Sequence, residues 1–419
     1  MLDRDFWTEI LDTLSANWLL SLLTAFGVGW GVFMLSIMLG AANGLKNGVY
    51  QEFTGRATNS MNMWTRSTTM PYDGLPAGRR FEMTVKDFEA ILTEVDNLGV
   101  VCPRTQIGGY RGSALVTRGQ QEGTFRGFGD YPQVRQVELF DIVDGRFLNQ
   151  NDLDEVRKVV VIGSRVRNEL FLPDEKVVGE YINVQGIPFQ VIGVFKTRQE
   201  GEDAINAEET MYFPFTVFRQ TFNYGDEIGW LMFTAKPGVP VSQVGKEIMA
   251  LVRRRHRVHP DDERAMGSWN MEEEFSDISN LFTGINMLVW LVGAGTLLAG
   301  IIGVMNIMLI VVKERTREFG VRRALGAKPW SIIGMVVTEA LVLTLAAGMI
   351  GMVLGVAVVE LLNIAVKNAG PINMFSNPEI RMGVPLRAIT ILCIAGIFAG
   401  LMPALQAVSI KPVDALRSE

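Results

Sequence analysis

Two histidines have the spacing of a possible metal site. His256 and His259 form an H-x-x-H pair and are the only histidines of the chain. A zinc ion needs one or two further ligands at short range, and only Asp261 and Asp262 follow the pair. The pattern therefore favours a surface turn, and we expect neither a metal nor another cofactor in this chain.

Nucleotide chemistry has no motif to support it. A phosphate-binding loop requires G-x-x-x-x-G-K-[ST], but the one Gly-Lys pair, at Gly245 and Lys246, is followed by glutamate. There is no G-x-S-x-G elbow, and Cys102 and Cys393 read as packing residues that do not pair. We predict that the chain is not an enzyme. If the activity of the chain requires energy, that energy comes from a partner or from an ion gradient.

Four long apolar stretches explain the positive mean hydropathy of +0.21. Residues 18–39, 284–312, 331–362 and 388–408 contain only two charged side chains, those of Glu339 and Glu360. Each stretch is long enough to cross a bilayer, which takes about 20 residues. Residues 1–17 are more acidic than basic, so the first stretch is predicted to be a membrane span preceded by an amphipathic segment.

The loop at 313–330 sets the orientation. Its six basic residues are Lys313, Arg315, Arg317, Arg322, Arg323 and Lys328. By the positive-inside rule this loop is cytoplasmic, and two spans on either side of it place both termini in the cytoplasm. Residues 40–283, with 27 basic and 34 acidic side chains and a net charge of −7, then lie outside.

Glu339 is the one ionisable candidate for a role at membrane depth. It lies about two turns into the third span, where it could relay protons or pair with Arg322 or Arg323. A gradient-driven carrier is expected to have several such groups. The sequence therefore favours an energy-coupling partner.

The external segment reads as mixed α and β. Amphipathic spacing predicts helices at 84–97 and 241–255. Residues 156–162 read as a strand, and 181–195 as two strands joined at Gln185 and Gly186. The glycine-rich piece at 126–130 reads as a turn.

Four pieces of the chain resemble the MacB/FtsX-type permeases of ABC transporters. They are NIMLIVVKERTREFGVRRALGA at 306–327, GLMPALQAVSIKPVDALR at 400–417, the first span with its extended exit at 21–48, and the segment 143–194 with VVVIG at 159–163. The resemblance covers almost the whole chain and is most specific in the cytoplasmic loop. It implies four transmembrane helices plus a large α+β extracytoplasmic domain, in the bacterial inner membrane.

The resemblance also implies a domain order. It gives a cytoplasmic segment 1–17, a span with stalk 18–43, a periplasmic domain 44–280, a stalk and span 281–312, a coupling loop 313–330, a span 331–362, a periplasmic loop 363–387, a span 388–408 and a cytoplasmic end 409–419. Within the periplasmic domain, 44–130 and 223–280 are porter-like and 131–222 is sabre-like.

In this family the cytoplasmic loop is a coupling helix that docks into the ATP-binding subunit. The resemblance assigns that role to Glu314, Arg315, Thr316, Arg317, Glu318, Gly320, Arg322, Arg323, Ala324, Leu325 and Gly326. Independently of it, Glu318 and Arg322 stand four residues apart, a favourable spacing for an ion pair on a helix. The alternative is that the basic residues only anchor the loop at the membrane surface.

Three G-x-x-x-G pairs lie in the apolar stretches, at Gly27 and Gly31, Gly351 and Gly355, and Gly396 and Gly400. Glycines at this spacing let helix backbones approach closely. They predict either a dimer interface, with a second copy or a paralogue, or packing within one chain.

The function expected from the resemblance is that of a stand-alone permease subunit that works by mechanotransmission. An ATP-binding subunit, which holds ATP and Mg, drives motions of the periplasmic domain. A drug, peptide or other periplasmic substrate then leaves through an adaptor and an outer-membrane channel. The alternatives are a lipoprotein-releasing permease and a regulator of cell-wall hydrolases. Lipid is an expected partner and nucleic acid is not.

Overall fold

The computed structural model describes residues 18–51, 53–199, 201–369, 375–380 and 383–409. It has two compact units. One is the α+β unit, Val49–Asn280; the other, the helical unit, combines the chain before and after it. The predicted segments 1–17 and 410–419 lie outside the described residues.

Eleven α-helices are present in the described part of the chain. They are α1 Trp18–Gln51, α2 Val85–Glu94, α3 Gln150–Asp154, α4 Ser164–Leu170, α5 Gly201–Glu208, α6 Phe215–Thr221, α7 Val241–Arg255, α8 Met271–Glu314, α9 Thr316–Ala324, α10 Pro329–Ala369 and α11 Gly383–Ser409. Short 3-10 helices occur at Pro132–Gln136 and Glu263–Ala265.

The strands all belong to the α+β unit. They are β1 Ser60–Thr65, β2 Met83–Thr84, β3 Leu98–Gln106, β4 Ala114–Arg118, β5 Gln121–Asp130, β6 Phe140–Gly145, β7 Val159–Gly163, β8 Tyr181–Val184, β9 Ile187–Thr197, β10 Thr210–Pro214, β11 Glu227–Ile228, β12 Trp230–Ala235 and β13 Met266–Asn270.

The helical unit contains the four predicted spans. Helices α1, α8, α10 and α11 are each long and apolar enough to cross a membrane, as the apolar stretches predicted. Helix α8 has 44 residues and continues ahead of its apolar stretch without a break, as does α1 beyond its own. Helix α11 starts five residues earlier than the predicted span, because residues 383–387 ahead of that span already form helical turns.

One half of the α+β unit is an antiparallel sheet covered by helices α2 and α7. The strands run in the order β3-β12-β1-β13. Met61, Met63 and Phe233 pack from the sheet against Phe88, Ile248 and other apolar residues of the two helices. Helix α2 begins at a capping box formed by Thr84 and Asp87. The predicted helix at 84–97 is confirmed, although it starts one residue later and ends three residues earlier than predicted.

The other half is a small closed barrel. Strand β5 pairs with β10, β10 with β7, β7 with β9, β9 with β8, β8 with β4, and β4 again with β5. Its interior is filled by buried Phe, Val and Ile side chains. The β8–β9 hairpin is the predicted one, with positive φ at both Gln185 and Gly186, the conformation that suits a two-residue turn.

The prediction of a turn at 126–130 is wrong. These residues form the end of strand β5, which pairs in parallel with β10. Gly127 and Gly129 are needed there because the rings of Phe213 and Phe218 lie where their β-carbons would be, at 3.0 Å and 2.6 Å from the nearest ring atom. Glycine in this strand therefore reflects close packing.

The predicted division of the α+β unit at residue 130 remains a prediction. Strands β4 and β5, inside the predicted porter-like segment, contribute Val116 and Phe125 to the core of the barrel. The core under α2 and α7 instead combines residues 61–101 with 215–266.

Candidate coupling site

The candidate site is the segment that joins helices α8 and α10. Helix α8 ends at Glu314, and α9 forms the predicted short helix with Arg315 as its N-terminal flanking residue. Gly326 follows the helix with a φ of +95°, a conformation that glycine adopts without strain, and α10 starts three residues later. The segment is thus a helix held between two tight turns.

Arg315 binds α9 to the transmembrane bundle. Its Nε and Nη2 atoms donate to both carboxylate oxygens of Glu318, at 2.8 and 3.0 Å. Its Nη1 atom lies 3.3 Å from the carboxylate of Glu339, which is buried in α10. A planar guanidinium suits such a shared contact, since its donors are fixed in direction. Glu339 is thus placed as a structural partner of the coupling segment.

The rest of the inward face of α9 is also anchored within the chain. Phe319 is buried in the transmembrane core beside Ile332 and Val336. Arg322 pairs with Glu318 at 2.9 Å, the predicted contact four residues apart. Arg323 donates to the backbone carbonyl of Val408 in α11. Helices α10 and α11 therefore hold this face in position.

The opposite face of α9 is exposed and partly apolar. Arg317 and Ala324 are exposed, Val321 is 40% exposed and Leu325 is 83% exposed. Trp330, at the start of α10, is 79% exposed. Isolated exposed apolar side chains are common, but Val321, Leu325 and Trp330 follow one another closely in the chain beside cationic groups, which is typical of a protein-binding surface.

The structure therefore divides the predicted coupling residues into two groups. Arg315, Glu318, Gly320, Arg322 and Arg323 form or flank the anchored face, whereas Glu314, Arg317, Ala324, Leu325 and Gly326 are exposed, and Thr316 bonds back to the carbonyl of Lys313. Val321, Trp330 and Phe319 were not predicted. Their apolar side chains within an otherwise basic loop are the feature of the sequence that could have indicated a contact surface.

The predicted glycines lie against neighbouring helices of the same chain. A β-carbon on Gly351 of α10 would collide with the backbone oxygen of Gly29 in α1. In α1, Gly27 faces Gly300 of α8 and Gly31 faces Thr296 of the same helix. In α10, Gly355 faces Ser36 of α1. In α11, Gly396 faces Leu341 of α10 and Gly400 faces Ala340. All six thus serve packing within one chain, and any further role in a dimer remains a prediction.

The histidine pair belongs to a structural cluster in the α+β unit. His256 Nε2 lies 2.8 Å from Asp87, which also accepts from Arg255 at 2.7 Å. Burial alone would raise the pKa of Asp87, but its bonds to His256, Arg255 and Thr84 hold that pKa well below the usual range. His259 packs against Tyr72. Within the described ranges, no three His, Cys, Asp or Glu side chains are grouped as metal ligands.

Two family models match the sequence. The model of the MacB-like periplasmic core domain matches residues 21–251, and that of the FtsX-like permease C-terminal region matches residues 290–412. Together they cover most of the α+β unit, the coupling segment and most of the four spans.

Several curated proteins are similar over most of the chain. The pyoverdine export ATP-binding/permease protein PvdT of Pseudomonas savastanoi is 26% identical, over 99% of this chain and 61% of its own length. The macrolide export ATP-binding/permease protein MacB of Nitrosomonas europaea is 29% identical, over 99% and 60%. The chain thus spans about three fifths of the length of these two relatives. An uncharacterised ABC transporter permease of Bacillus subtilis, YvrN, is 31% identical over 69% of this chain and 71% of its own.

Among solved structures, the periplasmic region of MacB from Actinobacillus actinomycetemcomitans aligns with 54% of this chain and 96% of its own, at 20% identity and a TM-score of 0.42. The extracellular domain of the Gram-positive transporter YknZ aligns with 51% and 100%, at 20% identity and a TM-score of 0.41.

Proposed function

The chain belongs to the FtsX-like permeases that carry a MacB-like periplasmic core domain, and on that premise we propose that it is the permease component of an ABC exporter. A separate ATP-binding subunit docks from the cytoplasm, binds ATP and Mg, and drives movements of the periplasmic unit by hydrolysis. The observation that carries the proposal is helix α9, fixed to its own bundle by Arg315 and presenting an exposed face with apolar side chains.

Docking explains this helix better than membrane anchoring alone. Anchoring would need only that the basic side chains reach lipid head groups, yet Arg315, Arg322 and Arg323 bond within the chain. The exposed row is Arg317, Val321 and Leu325, spaced four residues apart on one helix face. A cation followed by apolar side chains on a rigid helix is suited to a groove on a partner protein.

Helix α8 is the proposed route of force. It is a single helix of 44 residues, about 66 Å at the usual rise, with no proline inside it. Its first residues belong to the α+β unit and its last residue precedes Arg315. A movement imposed on α9 would therefore reach the periplasmic unit along one covalent rod. The spans contain two acidic side chains in all, which suits this mechanism better than a polar conduit.

The rest of the assembly follows from the same premise. The proposal includes α9 and both termini on the cytoplasmic side of the inner membrane, which the basic residues of the loop support through the positive-inside rule. Two permease copies, or a copy and a paralogue, would act with two ATP-binding subunits, a periplasmic adaptor and an outer-membrane channel. Two of the similar proteins are named for export of pyoverdine and of macrolides, which favours a small molecule as substrate. Lipoprotein release and control of cell-wall hydrolases are the alternative functions.

A substitution at Leu325 tests the docking surface. Leu325→Asp places a charge at the most exposed apolar site of α9 and touches none of the anchoring contacts. The full-length chain, purified from its native membrane, is expected to lose at least nine tenths of the ABC ATP-binding protein that co-purifies with it. The readout is the stoichiometry of that protein by quantitative mass spectrometry.

Leu172→Asp is the matched control, because Leu172 is an exposed leucine of the α+β unit. It should leave the stoichiometry unchanged. Equal stoichiometry in the Leu325→Asp and Leu172→Asp preparations would contradict docking at α9, as would the absence of any ATP-binding protein from the unaltered complex.

A further inference from the structure

A large cleft opens within the α+β unit. Its volume is about 1430 Å³, and every residue that lines it lies between Gly55 and Met271. Cavities that bind small molecules usually measure roughly 300–1,000 Å³, so this cleft has room for a drug-sized ligand. The coupling mechanism described above makes no use of it.

One wall is the sheet face opposite α2 and α7. Along β1, Met61 and Met63 point into the core under those helices, whereas Asn62 and Trp64 line the cleft. Alternate residues of a strand face opposite sides, so this face could have carried the short polar residues of an ordinary solvated surface. Besides Ser60 and Asn62, it carries large aromatic side chains.

All three tryptophans of the α+β unit line the cleft. They are Trp64, Trp230 and Trp269. The guanidinium of Arg56 lies 4.7 Å from the ring centre of Trp269, and that of Arg66 lies 5.5 Å from the ring of Trp64. In each pair the cation lies over the face of the ring, so a flat surface and a positive charge occur at the same place, which suits a planar ring that carries an acidic group.

The charges of the cleft are unbalanced in favour of cations. Six arginines line it, Arg56, Arg66, Arg80, Arg104, Arg111 and Arg126, against four acidic residues. Two of the acids are already bound, Glu138 by Arg104 and Glu209 by Arg165. Over the described residues, no carboxylate lies within ion-pair distance of Arg56, Arg66 or Arg80. This excess is unexpected in a segment whose net charge is −7.

At the buried end of the cleft, the charge of Arg104 is already paired with acidic residues. Arg104 lies between Asp130, at 2.8 Å, and Glu138, at 2.7 Å, and the hydroxyl of Tyr212 donates to Glu138 at 2.7 Å. Burial would raise the pKa of Glu138, but the charge of Arg104 lowers it to about 2, so Glu138 stays ionised at neutral pH. Charge therefore remains available for a ligand on Arg66 and Arg80, and on Arg56, whose charge also helps to lower the pKa of Glu138.

We propose that this cleft binds a small aromatic anion. The planar ring lies against Trp64 and Trp269, and the carboxylate or other acidic group lies among Arg56, Arg66 and Arg80. That this ligand is the exported substrate rests on the proposed function; the binding itself does not, since it needs neither ATP nor the ATP-binding subunit.

The test is direct binding of a simple probe to the full-length chain in nanodiscs of zwitterionic lipid. The probe is 2-naphthoate, and 2-naphthamide is its uncharged counterpart. Calorimetry should show one saturable naphthoate site per chain and at least tenfold weaker binding of the amide. The double variant Arg66→Gln/Arg80→Gln should weaken naphthoate binding about tenfold and leave the amide unchanged. Trp64→Ala should weaken both.

The matched control is Lys246→Gln/Arg264→Gln, which removes two exposed cations that do not line the cleft. It should bind naphthoate like the unaltered chain. No saturable binding of naphthoate, equal affinity for the amide, or equal loss in the control variant would each overturn the proposal. Because Leu325→Asp should leave naphthoate binding intact, failure of this proposal is distinguishable from failure of the exporter function.

Discussion

At the scale of single residues, a few buried polar side chains fix the geometry on which the account depends. Arg315 binds Glu318 and Glu339, and Asp87 binds Arg255 and His256. Removing one partner leaves the other polar or charged group buried and unpaired, which lowers the stability of the folded state. The contacts of Asp87 and the pair of Arg315 with Glu339 join residues at least 24 positions apart, and for that reason the sequence alone did not predict them.

The Asp87 cluster gives a prediction about acid stability. The folded-state pKa of Asp87 lies below that of the unfolded chain, so its contribution is present above about pH 4 and is lost as the pH falls further. Asp87→Asn should lower the free energy of unfolding at pH 7 by about 1–3 kcal/mol and flatten its decline between about pH 5 and pH 3. Thermal unfolding of the detergent-solubilised full chain measures both.

Asp96→Asn is the control for this prediction. Asp96 is an exposed acid just beyond α2, and its substitution should leave both the stability and the acid profile nearly unchanged. If the two variants unfold alike across this pH range, the structural role of Asp87 is wrong.

At the scale of elements, patterns of burial were predictable and close packing was not. Composition predicted the four spans and periodicity predicted α7 and the β8–β9 hairpin, because each pattern is a local consequence of which face is buried. The glycines of β5 were misread as a turn because their reason is contact with rings of α6 and β10, distant in sequence. The closed barrel depends on the β5–β10 pairing, which no local pattern specifies.

The glycine contacts between α1 and α10 give a prediction at this scale. Gly351→Leu would push the backbone of α10 away from that of α1, since the backbone oxygen of Gly29 lies where a β-carbon would be. Overpacking of this kind typically costs about 1–3 kcal/mol, and here it meets backbone. We expect the thermal aggregation temperature of the detergent-solubilised chain to fall by several degrees.

Gly334→Leu is the comparison on the same helix, because a β-carbon at Gly334 has no heavy atom within 4 Å. It should leave the aggregation temperature close to that of the unaltered chain. An equal fall in both variants would mean that Gly351 has no special part in packing within the chain.

At the scale of the whole molecule, the chain combines a four-helix membrane unit with a large α+β unit. The sequence predicted this architecture, because the apolar stretches and the charged segment occupy different parts of the chain. The family models support it, because one matches the periplasmic core domain and the other the C-terminal permease region. The cleft was not predicted: its tryptophans and arginines are scattered between residues 56 and 269, and only the folded strands bring them together. The units are joined by the continuous helices α1 and α8, on which the proposed transmission of force depends.

The most direct test measures motion of the periplasmic unit in response to a nucleotide. Spin labels at Leu172→Cys, in a Cys393→Ala background, would report the distance between two permease copies of the purified complex in nanodiscs. We predict that a non-hydrolysable ATP analogue shifts this distance distribution and that Leu325→Asp abolishes the shift. An unchanged distribution in a complex that binds the analogue and hydrolyses ATP would contradict mechanical coupling.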